Sequence, residues 1–248
     1  GNSVAVTDCS EDGTGKITGS GYGSCTRAVY VTSGSTFTLW RGNLTGLYDI
    51  QSLSSYGTPP NGGAVWMKGG KFVMNGGSIS ARSTGGHGGV VYMNSGTFIM
   101  NAGSLSGKAL NGSGGAVYNK YGNFIMNGGT ITGQVADTAK DNGSRGVSGY
   151  GGAVYGEYAT ININGGTITG SSAAEGGGIF VKKSTLTMGS ANITDNTAAH
   201  GGGGIYAYEC AITIDGATIT GNNGGDSLGG GVYISGAKGS GTTGDPYI

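Results

Sequence analysis

Gly114-Gly115-Ala116-Val117-Tyr118, Phe124-Ile125-Met126-Asn127 and Gly129-Thr130-Ile131-Thr132-Gly133 make up one unit, and that unit returns along the whole chain. The aliphatic residue after the glycines recurs as Val29, Val65, Val91, Val117, Val154, Ile179, Ile205 and Val232. A second anchor runs Phe37, Phe72, Phe98, Phe124, Ile161, Leu186, Ile212, and a third runs Leu44, Ile79, Leu105, Ile131, Ile168, Ile193, Ile219. The period is about 26 residues, and such a unit cannot bury an apolar face alone, so units must stack. Each apolar segment is short, alternates with a period of two and is bounded by Gly, Asn or Ser, which marks strands rather than helices. The expected fold is therefore all-β: a right-handed parallel β-helix (solenoid) of about eight coils, three strands per coil, in a single domain over residues 1–248. Val91, Val117, Phe98, Phe124, Leu105 and Ile131 should point inward, with Val91 and Val117 stacked in neighbouring coils.

Composition agrees. The 58 glycines sit at fixed offsets, so they serve corners rather than disorder, and with no helix to open they are not phosphate loops. Thirteen basic residues balance 13 acidic ones without a basic stripe, which excludes the electrostatic footprint of a nucleic-acid binder. No stretch is long and apolar enough to span a membrane, so no membrane insertion is expected, and a chain opening on Gly1 reads as a fragment of a longer one. Cys9 and Cys25 flank the first half-coil and are candidates for a disulfide in an oxidising compartment, the alternative being two reduced corner residues. Cys210 shares the parity of Ile212 and should be buried. With 2 histidines far apart and no Cys-x-x-C spacing, neither a metal site nor a cofactor is expected.

Gly-Gly-Ala-Val at 62–65, 114–117 and 151–154, with Phe-x-x-Asn complete at Phe72–Asn75, Phe98–Asn101 and Phe124–Asn127, resembles the GGA(I/L/V) and FxxN repeats of polymorphic outer-membrane and autotransporter-like bacterial surface proteins, within the pectate-lyase-like β-helix superfamily. The resemblance covers roughly residues 15 to 236 and departs from the pattern at Ile161–Asn164, Leu186–Gly189 and Ile212–Asp215. It implies a secreted or surface-anchored extracellular adhesin, whose partners would be a host or environmental glycan or a surface protein. Because these repeats are core and corner residues, they specify fold far better than function.

Function must come from outward positions. Residues next to the first anchor form a ladder of Tyr30, Trp66, Tyr92, Tyr118, Tyr155, Phe180, Tyr206 and Tyr233, suited either to sugar rings or simply to strand pairing. Insertions at about 47–61 and 134–150 leave the same corner of the coil and would wall a stretch of three coils, roughly 14 Å along the axis. Trp66, Tyr92 and Tyr118 would form its floor, with Arg82 and His87 at the adjoining corner. The expected function is a non-catalytic extracellular surface or adhesion module that binds carbohydrate through these five residues. The alternative is a polysaccharide-cleaving enzyme, a lyase or glycoside hydrolase, using the same groove with Asp49, Asp137, Asp141 and His87. No paired carboxylates align in register, and Glu157 falls instead between Lys120 and Lys182, so no catalytic residue is assigned. A minor alternative is ice binding through Ser78/Ser80, Ser104/Ser106, Thr130/Thr132, Thr167/Thr169 and Thr218/Thr220, a face that Asn192 interrupts.

Overall fold

A computed structural model of the chain describes residues 3–6, 16–19, 28–46, 61–84, 86–136, 149–225 and 228–236. Every regular element among them is a strand, every pairing is parallel, and no helix is long and apolar enough to cross a membrane. The chain coils as a parallel β-solenoid with about 26 residues per turn. Each turn contributes one strand to each of three walls. The first wall is an eight-stranded sheet of strands such as Val91–Asn94, Val117–Lys120 and Val154–Glu157. The second holds Thr97–Met100 and Asn123–Met126, and the third Ser104–Leu110 and Thr130–Ala136. The last two walls merge into one 16-stranded sheet because Thr160–Thr169 and Thr185–Thr194 run straight through the corner between them.

Inside the coil, like stacks on like. Val91 pairs with Val117, Phe98 with Phe124 and Leu105 with Ile131, and all six side chains are buried. Phe37, Phe72, Phe98 and Phe124 form a column with ring centroids 4.9, 5.0 and 5.6 Å apart. Each such ring removed from water contributes about 1.5–3 kcal/mol, which is where the repeat's aromatic anchor acts. The glycines permit close approach. At Gly129 the backbone has φ +91, and a Cβ there would lie 2.5 Å from the Gly103 carbonyl oxygen.

The Asn of Phe-x-x-Asn has a structural task. Asn101 Nδ2 donates to Asn75 Oδ1 at 2.7 Å, Asn127 Nδ2 to Asn101 Oδ1 at 2.7 Å, and Asn164 Nδ2 to Asn127 Oδ1 at 2.8 Å. The ladder ties successive coils together along an exposed corner. A buried Asn also replaces an apolar residue: Asn119 occupies the Met93 position one coil on, donating to the Gly122 carbonyl and accepting from the Gly122 N–H, both at 3.1 Å. It therefore clamps its own corner.

Two expectations change. Eight strands do pair along the first wall, but the solenoid has about six turns whose three walls all carry buried residues, those opening at Val29, Val65, Val91, Val117, Val154 and Ile179. In the turn opening at Ile205, Ile212 and Ile219 are half-buried and Ile214 is exposed, because among the described residues no further second- or third-wall strand stacks beyond it. Cys210 is half-buried rather than buried. It sits in that same turn as the counterpart of Ser184, its Sγ accepting from the Ser184 N–H at 3.4 Å and donating to the Tyr208 carbonyl at 3.2 Å.

Candidate functional site

Strand alternation puts the residue after each first-wall anchor on the outer side, and register aligns these residues as Tyr30, Trp66, Tyr92, Tyr118, Tyr155, Phe180, Tyr206 and Tyr233. Their rings stack in sequence. Centroids are 4.5 Å apart for Tyr30 and Trp66, 6.3 Å for Trp66 and Tyr92, 5.2 Å for Tyr92 and Tyr118, and 4.7 Å for Tyr118 and Tyr155, with interplanar angles of 12°, 12°, 8° and 9°. Near-parallel rings this close are stacked face to face, so most of the stripe spends its faces on its neighbours and turns its edges outward. The widest spacing falls between Trp66 and Tyr92.

Exposure varies along the stripe. Tyr118, Tyr155 and Phe180 form a second apolar cluster outside the coil, Tyr118 being only 6% exposed. His87 lies against Tyr118 with ring centroids 4.5 Å apart, and Tyr150 packs on Phe180 at 4.7 Å. Burial, reinforced by neighbouring tyrosines and Glu157, holds the Tyr118 hydroxyl far from ionisation, and burial does the same at Tyr155. Tyr118 is thus on the outer side, as expected, yet covered rather than an open floor. Trp66 and Tyr92 are half-buried, and Tyr30 is 54% exposed.

His87 belongs to a corner column in which one coil's side chain receives the next coil's N–H. Asn61 Oδ1 accepts from the His87 N–H at 2.8 Å, His87 Nδ1 from the Ser113 N–H at 3.0 Å, and Ser113 Oγ from the Tyr150 N–H at 3.2 Å. Burial chiefly, then the Lys120 charge, lowers the His87 pKa below its ordinary value, opposed by Glu157. The ring is therefore a neutral acceptor. Arg82 stands apart from this group, exposed on the third wall beside Lys108. The structure thus brings four of the five expected residues together, Trp66, Tyr92, Tyr118 and His87.

The third-wall strand Asn43–Gly46 precedes the first insertion, whereas Thr130–Ala136 takes in the first residues expected of the second, Gln134, Val135 and Ala136 pairing with Lys108, Ala109 and Leu110, and Tyr150 rejoins the ladder by pairing with Glu175. Residues 47–60 and 137–148, with Asp49, Asp137 and Asp141, lie outside the described residues, as do Cys9 and Cys25. Among the described residues no three His, Cys, Asp or Glu side chains are grouped to hold a metal ion. Glu157 faces Lys120 and Lys182 in register and pairs with Lys120 at 3.2 Å. On the third wall Ser78, Ser104, Thr130 and Thr167 share a column that continues to Asn192.

One aromatic group escaped the sequence reading. Tyr121 and Tyr158 occupy the corner between the first and second walls in successive coils, stacked at 5.6 Å and 57% and 47% exposed. The available signal was an aromatic residue at a turn position that Gly69, Ser95, Lys183 and Glu209 hold in other coils, outside the period-two pattern that defines the strands.

No protein-family model, curated protein or solved structure matches this chain.

Proposed function

We propose that this chain is a non-catalytic module of an extracellular, surface-attached or secreted protein, and that it binds carbohydrate on the outer side of its first wall. The observation that carries the reading is the stretch Tyr30, Trp66, Tyr92: rings held at fixed spacing on a rigid parallel sheet, still partly open to solvent, and opening widest between Trp66 and Tyr92. Sugar rings have apolar faces and hydroxyl rims, and the outward ring edges and tyrosine hydroxyls of a pre-ordered stack meet both at small entropic cost. Tyr118 and His87 support that surface from beneath, fixing Tyr92 by stacking. The extracellular setting rests on the likeness of the repeats to those of bacterial surface proteins.

A glycan panel with product analysis tests the reading. Specific binding without cleavage is expected, and Trp66→Ala should weaken it by about 1–3 kcal/mol. Tyr206→Ala, on the same stripe beyond Phe180, should leave affinity unchanged. Release of shortened sugar products would replace the module with an enzyme, and unchanged affinity in Trp66→Ala would return the stripe to a purely structural role.

A further inference from the structure

The corner after six of the eight first-wall strands begins with a residue of positive φ. Early coils use small residues there, Gly69 (φ 89) and Ser95 (φ 107). Later coils put large ones in the same place: Tyr121 (φ 61), Tyr158 (φ 49), Lys183 (φ 49) and Glu209 (φ 53). The positions are in register, since the N–H of Tyr121 donates to the Glu157 carbonyl, that of Tyr158 to the Lys182 carbonyl and that of Lys183 to the Tyr208 carbonyl. A bulky side chain with positive φ is conformationally costly, and glycine would avoid that cost. Neither tyrosine recovers it by burial, for both are exposed. The buried amide of Asn119 holds the strained turn by bonding both backbone groups of Gly122.

Charged side chains surround these rings. Lys120 Nζ lies 5.2 Å from the Tyr121 ring and Lys183 Nζ 5.8 Å from the Tyr158 ring. Lys120 pairs with Glu157 at 3.2 Å and Lys183 with Glu209 at 3.6 Å, while Lys182 Nζ lies over Tyr208 at 6.0 Å. Lys120, Lys182 and Lys183 against Glu157 and Glu209 leave the ridge net positive. Unlike the first-wall stripe, this stack ends early: the next residue of the column beyond Tyr121 is Ser95, and then Gly69. The end of the stack therefore borders small residues rather than another ring.

We infer that this corner is a second ligand platform, which takes an oligosaccharide bearing carboxylates: one sugar ring continues the Tyr121–Tyr158 stack at Ser95, and carboxylates along the oligomer meet Lys120, Lys182 and Lys183 along the ridge. This site does not rest on the first-wall reading. Titration calorimetry with glucuronate oligomers, and glucose oligomers as the neutral match, tests it. The protein should bind the acidic oligomer more tightly than the neutral one, and added salt should weaken that binding. The double variant Tyr121→Gly, Tyr158→Gly should lose about tenfold or more in affinity, with its melting temperature unchanged or raised, because glycine relieves the strained corners. Lys120→Gln with Lys183→Gln should remove the preference for the acidic oligomer, and Trp66→Ala should leave glucuronate binding intact. No glucuronate binding, equal affinity for both oligomers, or a double-glycine variant that keeps its affinity would overturn the platform. Loss of glucuronate binding in Trp66→Ala alone would assign the ligand to the first wall instead.

Discussion

The first-wall stripe and the corner pair are both stacked aromatics, and they differ in what holds them. Tyr118 extends from a regular strand, aligned by register and pressed between Tyr92, Tyr155 and His87 until little of it remains exposed. Tyr121, three residues on, sits in a backbone conformation that disfavours it and stays mostly in solvent. A strand tyrosine in a parallel sheet stacks because the pairing puts like beside like, so its stacking alone says little about ligands. Register also stacks Tyr121 on Tyr158, but no burial offsets their backbone cost. Outliers of this kind are where function is sought, running from the observed strain to the hypothesis.

The largest effect should come from removing what both regions share. Val117 is fully buried within the strand that carries Tyr118 and leads into the Tyr121 corner. Val117→Asp places an unpaired carboxylate in the apolar column and should destabilise by about 4 kcal/mol or more, a large part of the stability of a typical domain. Circular dichroism melts would show it. A near-native melt would mean that the inward column is not the core.

A smaller effect separates the two regions. Tyr118→Ala should cost about 2–4 kcal/mol, since it empties a site closed by three neighbouring rings. Tyr121→Ala should stay within about 1 kcal/mol, because it removes an exposed ring and leaves Asn119 clamping the turn. Urea denaturation of both variants gives the comparison directly. Equal losses would erase the distinction between a structural stripe and a functional corner.

What the sequence made legible follows from what repeats. Val117 over Val91 and Phe124 over Phe98 could be placed because a fixed period and strand alternation determine both register and side. The outer aromatics followed by the same parity. The covering of Tyr118 by His87 was not legible, since it depends on a corner column in which Asn61, His87 and Ser113 bond across coils through different atoms. The count of fully buried turns was also beyond the pattern: Ile212 and Ile219 repeat faithfully, but burial needs a coil on either side. The corner platform was missed because left-handed φ at Tyr121 and Tyr158 is a backbone property that their neighbours in sequence do not announce.

The smallest expected effect concerns pH and falls chiefly on the stripe. His87 Nδ1 accepts the Ser113 N–H, so the neutral ring carries its proton on Nε2, and protonation must occur at Nδ1 and break that bond. Burial first, then Lys120, lowers the folded-state pKa below 6.5, with Glu157 acting the other way. The unfolded chain therefore binds the proton more readily than the folded one. Stability contributed by the neutral ring is complete above the unfolded value and is lost as pH falls from there through the folded pKa. His87→Asn supplies an amide oxygen like that of Asn61 one coil earlier, and it should keep the Ser113 bond while removing this dependence. Denaturation midpoints across weakly acidic pH should fall in the parent protein and stay flatter in the variant, with Tyr118 becoming more accessible to solvent quenching only in the parent. The corner stack should respond less, because it does not include His87 and meets it only through the Lys120 charge. Parallel pH profiles in the two proteins would show that His87 does not govern the covering of Tyr118.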